Sequence, residues 1–170
     1  MFSSCSSLTI APELPAPTLA DYCYSWMFSN CTSLATAPEL PATTLVRSCY
    51  EAMFKGCTSL TTVPELPATT LATECYECMF EGCTSLTTAP ELLAATLVER
   101  CYNTMFKNCI SLNYIKCLAT GISGAHYTHT WIDGVASDGT FIKHPNMTSW
   151  TTGTSGIPEG WTVEDAEIEY

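Results

Sequence analysis

Residues 53–78 read MFKGCTSLTTVPELPATTLATECYEC, and residues 79–104 read MFEGCTSLTTAPELLAATLVERCYNT. Laid over each other, Met53, Phe54, Cys57, Leu60, Pro64, Glu65, Leu66, Leu71, Cys75 and Tyr76 recur with the same identity 26 positions later. The pattern extends outward in both directions. Met-Phe stands at 1, 27, 53, 79 and 105, Cys at 5, 31, 57, 83 and 109, and Leu at 8, 34, 60, 86 and 112. A fixed period with apolar columns is the signature of a solenoid, in which each unit forms one coil and buries its apolar side only against its neighbours. A stacked array presents a long regular surface and seldom encloses a catalytic pocket.

Within a unit, residues 59–63 carry the β-branched Thr61, Thr62 and Val63 and predict a short strand. Pro64 ends it, because proline has no N–H for a ladder. Residues 64–67 then form a stiff extended crossing. Thr69 or Thr70 is placed to cap the next element. Leu71, Cys75, Tyr76, Met79 and Phe80 fall at i, i+4, i+5, i+8 and i+9, one stripe of a helix. Gly82, like Asn30 and Asn108 in the same column, suits the turn that closes that helix. The expected fold is an α/β repeat solenoid, with short parallel strands on one face, short helices on the other and a small α+β cap at the C-terminal end. Residues 1–118 hold the repeats and residues 119–170 the capping segment.

The balance of charge is acidic, with 17 Asp and Glu against 6 Lys and Arg. That disfavours nucleic acid and anionic membranes, both of which call for clustered Lys and Arg. No apolar run approaches the ~18–20 residues of a membrane span. No basic region opens a secretory signal, and Met1 is itself a repeat residue, so the chain reads as a fragment of a longer array or a mature piece. Of the 11 cysteines, only Cys78 and Cys117 lie outside the two repeat columns. Parallel stacking holds column neighbours ~4.8 Å apart with side chains pointing the same way. A disulfide needs Cβ atoms about 3.8 Å apart. Buried free thiols acting as small apolar residues follow. Cys75 and Cys78 form a C-x-x-C, but no second pair sits at zinc-finger spacing.

The phrase M-F-x-x-C-x-S-L-x-x-x-P-E-L-P-A-x-x-L-x-x-x-C-Y resembles the BspA-like leucine-rich repeat of bacterial surface proteins. The commoner unit of that family runs A-F-x-x-C-x-x-L-x-x-I-x-L-P, and Met27, Phe28, Cys31 and Leu34 match it. The chain departs from it after that Leu, with Ala or Val and then Pro where the family alternates Leu or Ile. The resemblance covers about residues 1–118. The segment around Trp131, Asp133 and Gly134, together with 156–163, resembles the C-terminal piece that accompanies such repeats. The resemblance implies a non-enzymatic surface or secreted protein working in adhesion or recognition.

After Leu112 the repeat gives way. Residues 113–118 predict a longer strand, a short helix follows through Trp131, Ile132 and Val135, residues 140–143 predict another strand and 161–163 the last, before an acidic tail over 164–170. Trp131, Trp150 and Trp161 are the side chains expected to cover the end of the stack.

Between units, the core columns are constant while other positions change. Asp21, Tyr22, Trp26, Arg47, Lys55, Glu74, Glu77, Glu81, Glu99 and Arg100 lie away from the apolar stripe, either as a solvated surface free to drift or as a face that selects a partner. Exposed Tyr and Trp are favoured types at recognition surfaces. The column Glu13, Glu39, Glu65 and Glu91 stacks like charges, held by solvent screening or by Ca2+ between neighbours. His126 and His129 sit near Asp133, where a metal and an ordinary loop are both open. No nucleophile motif, phosphate loop, cofactor motif or zinc-protease helix is present.

The sequence therefore points to an extracellular or cell-surface interaction module for a protein or glycan ligand. The alternative is a structural spacer or display array, a phage structural or receptor-binding protein included. An uncovered first coil is expected to pair with a second copy about a two-fold axis.

Overall fold

The computed structural model describes residues 2–16, 18–122, 126–148 and 150–168. Met1, the first member of its column, lies outside them, as do the last two residues of the acidic tail. Units 26 residues apart lie on one another. Ile10 bridges Thr36 and Thr36 bridges Thr62, each in parallel. The Phe28, Phe54 and Phe80 rings stack at 5.8 and 5.7 Å, and Tyr50 stacks on Tyr76 at 6.0 Å.

The expected α/β solenoid, with a row of helices on one face, is not what forms. Among the described residues there is no helix, and the only strands are β1 (Tyr114–Cys117), β2 (Thr140–Lys143) and β3 (Thr162–Asp165). The segment expected to be helical is a ribbon of overlapping turns. Along 46–57, every second N–H bonds three residues back: Cys49 to Val46, Glu51 to Ser48, Met53 to Tyr50, Lys55 to Ala52 and Cys57 to Phe54. The alternate N–H groups bond the next coil: Ser48 to Thr73, Tyr50 to Cys75, Ala52 to Glu77, Phe54 to Met79 and Gly56 to Glu81. Every N–H from 48 to 57 is thus satisfied without an i→i−4 bond, which answers the requirement that buried backbone polar groups be paired.

The ribbon needs a left-handed residue at every fourth position. Ser48, Ala52 and Gly56 have φ of 50°, 49° and 73°, and Glu74, Cys78 and Gly82 repeat this at 60°, 55° and 74°. Ser4, Asn30, Gly56, Gly82, Asn108 and Gly134 form one such column, filled after Ser4 by the two residue types that tolerate αL best. Thr104 and Thr130, both β-branched, hold φ of 51° and 47°. Such conformations persist only where the surroundings over-determine them; here the bonds from Thr104 N–H to His129 and from Thr130 N–H to the Ser155 hydroxyl help to do so.

The strand expected over 59–63 shrinks to a single bridge residue, Thr62. Pro64, two residues on, removes the next donor, and proline in the same column of the neighbouring coils does the same. The strand over 113–118 is realised as β1, free of proline. It pairs in parallel with β2, Tyr114 opposite Thr140, and β2 with β3, Thr140 opposite Thr162. The short helix expected through Trp131 and Val135 is again turns, with Gly134 at φ 78°.

The core is a set of axial columns, buried from Phe28 onward, while Cys5 and Cys23 of the first coil are exposed. Cys57, Cys83 and Cys109 each direct the thiol at a buried carbonyl of the preceding coil: Phe28 at 3.1 Å, Phe54 at 3.2 Å and Phe80 at 3.0 Å. All eleven cysteines are free thiols. Desolvation raises Cys57 to about 12 and Cys49 to about 11.

Candidate functional site

The inter-coil bonds of the turn ribbon all point one way, from a donor on one coil to an acceptor on the next. The C-terminal end of the ribbon therefore presents donors, and the segment 154–156 answers them. Ile132 N–H bonds Thr154 O at 3.3 Å, Thr130 N–H bonds Ser155 Oγ at 2.9 Å, and Trp131 Nε1–H bonds Gly156 O at 2.8 Å. Trp131 is fully buried and ends both aromatic columns, 6.3 Å from Tyr102 and 6.2 Å from Phe106. Trp161 covers the next level, its Nε1–H on Ala136 O at 2.8 Å. The opposite end presents acceptors along the ribbon.

The residues singled out from the sequence are brought largely into contact with each other. Arg47 lies over the Tyr22 ring at 5.9 Å and donates to Glu74 at 3.2 Å. Glu74 also accepts from Ser48 Oγ at 3.0 Å and faces Arg100 at 3.6 Å. Partial desolvation works against its charge, but these donors outweigh it and hold the carboxyl below its usual range. Arg100 reaches on to Glu77 at 2.6 Å, where Asn103 Nδ2 donates at 2.8 Å. Glu77 is buried beneath this pair rather than displayed, and desolvation raises it despite both donors. A second line runs from Trp26 under Lys55 at 5.4 Å, to Glu81 at 2.9 Å, and one coil further Lys107 faces Asp133 at 3.6 Å. In the column Lys55, Glu81, Lys107 and Asp133 charge alternates in sign from coil to coil, so vertical neighbours attract, whereas Glu51 stacks on Glu77 as a like charge. Asp21 and Glu99 are exposed, and Tyr22 and Trp26 remain half open to solvent. A shallow recess of about 550 Å3 lies between Arg47, Leu71, Glu74, Val98 and Glu99.

The proline edge, expected from the sequence as a stiff crossing beside a column of stacked carboxylates, differs from the ribbon. Among the described residues, no backbone hydrogen bond joins segment 38–41 to 64–67, in contrast to the ribbon. Prolines supply no N–H for bonds between coils there, and the edge carries notches. One, of about 330 Å3, is lined by Val63, Pro64, Leu66, Pro67, Pro90 and Leu93 with Glu65 and Glu91 at its rim. Another, of about 270 Å3, repeats it two coils earlier between Ala11, Leu14, Pro15, Pro38 and Pro41, with Glu13 and Glu39. Glu91 pairs with Lys116 at 3.0 Å. Among the described residues no cation lies within pairing distance of Glu13, Glu39 or Glu65. The signal was present in the strict Pro-Glu-Leu column, whose regularity reads equally as a scaffold requirement.

His126 and His129 meet edge to face at 5.4 Å beside a recess shared with Tyr127, Thr128, Thr151 and Ser155. Among the described residues no group of three metal-ligating side chains converges there or elsewhere. No helix is long and apolar enough to cross a membrane among the described residues. Comparison with protein-family models, with curated proteins and with solved structures finds no match to this chain.

Proposed function

We propose that this chain is a non-catalytic interaction module that presents a rigid, periodic outer surface to a macromolecular partner, protein or glycan. The observation that carries the reading is the repetition of an open, apolar, acid-rimmed notch on the proline edge, at 11–41 and again at 63–93. Ligand sites combine apolar lining with a few polar groups that set orientation, and here the combination recurs at a fixed interval along a stack locked by backbone bonds. An extracellular or cell-surface placement rests on the likeness of the repeat to BspA-like units alone.

A spacer or display role is the second reading, favoured by one observation: the charges of the ribbon face are largely consumed in coil-to-coil pairs, which leaves that face little to offer a partner. Probing immobilised chain with glycan and peptide arrays separates the two. Saturable binding supports the module; absence of binding to every probe supports the spacer.

A further inference from the structure

Resting on the interaction-module reading, we infer that the proline edge binds an extended polypeptide segment bearing Lys or Arg about every third residue, with apolar residues between. The notches supply apolar walls, Val63, Leu66, Pro67 and Leu93 in one and Ala11, Leu14 and Pro41 in the other. Each rim carries two carboxylates. Glu13, Glu39 and Glu65 are exposed and, among the described residues, have no cationic partner within the chain. The whole chain carries a net charge of −11, which steers a cation toward it and an anion away. Complementary potential of this kind sets partner choice and association rate more than raw affinity.

The spacing decides the form of the partner. Phe rings repeat every 5.7 to 5.8 Å down the stack, so notches two coils apart are separated by roughly twice that. A chain in the polyproline II form has three residues per turn and advances about 3.1 Å per residue, so residues three apart share one face and lie about 9 Å from one another. Lys and Arg stems are long enough to absorb the difference while their methylenes lie on proline and leucine. The edge itself favours an extended guest, because the coils leave backbone groups unbonded to each other there.

The test uses the intact chain and a fluorescein-labelled 13-residue peptide with Lys at every third position and Val or Pro between, beside the same peptide with Glu for Lys. Anisotropy is read at low and physiological salt. The double variant Glu39→Gln/Glu65→Gln removes two rim charges; Glu159→Gln/Glu164→Gln removes two exposed carboxylates elsewhere and controls for net charge. Binding of the Lys peptide only, at least tenfold weaker in the rim variant and within twofold of the parent in the control, is the expected result, with methyl shifts at Val63, Leu66 and Leu93. Equal weakening in both variants, or shifts elsewhere, would overturn the placement. Should the Lys peptide fail to bind while an array glycan or protein does, the inference falls and the module stands. Failure of every probe removes both.

Discussion

Gly82 holds φ of +74°, and a methyl added there would meet nothing closer than Gly56 backbone atoms at 3.8 Å. Gly82→Ala therefore isolates the backbone conformation from packing. Were Gly82 a right-handed, helix-interior position, the exchange would stabilise the chain by about 1 kcal/mol, the ordinary helix preference for alanine. In the turn ribbon the sign reverses. Placing an L side chain in the left-handed region costs about 1–2 kcal/mol, offset by about 0.4–1 kcal/mol from restricting the unfolded chain. The expected net loss is about 1 kcal/mol, a fall of about 2–4 °C in Tm for a chain of this size. Gly82→Asn should cost less, since Asn30 and Asn108 occupy the same column at φ 59° and 61°. Thermal and urea unfolding followed by circular dichroism read both. A rise in Tm for Gly82→Ala would refute the left-handed conformation that the ribbon requires at this position.

Phe54→Ala removes a fully buried ring stacked on both sides, and a loss of about 3–5 kcal/mol in urea unfolding is expected. Ellman's reagent should titrate the exposed Cys5 and Cys23 first in the native chain and all eleven thiols in denaturant; Cys57, Cys109 and Cys117, each pushed to about 12 by burial, should stay silent at pH 9 while the fold holds. Near-zero thiols in denaturant would show disulfides instead. Glu77 is raised above its usual value by desolvation, so the folded chain holds its proton to higher pH than the unfolded one. Stability relative to Glu77→Gln should then decline as pH rises from the unfolded carboxyl range through the folded pKa. A difference that grows with pH would show that Arg100 and Asn103 outweigh the burial.

The repeat, its period and nearly every buried position could be read from the residues, because a column that must stack on itself cannot vary: Phe54, Cys57, Leu60 and Tyr76 are all buried. The strands at 114–117 and 140–143 were legible too, lying in stretches free of proline. The ribbon was not, though a trace of it was there. Leu45, Cys49, Met53 and Cys57 recur at a strict four residues, and on a helix of 3.6 residues per turn such a row drifts about 40° at each step. Over so short a segment the two periods look alike, and what chooses between them is whether alternate N–H groups find carbonyls on a neighbouring coil. That is a non-local fact, as is the pairing of Arg47, Glu74 and Arg100, residues that sequence shows only as variable. The amino-acid sequence determined which side chains face inward. The stacked neighbour decided the backbone that carries them, because only it supplies the acceptors that a helix would have taken from itself.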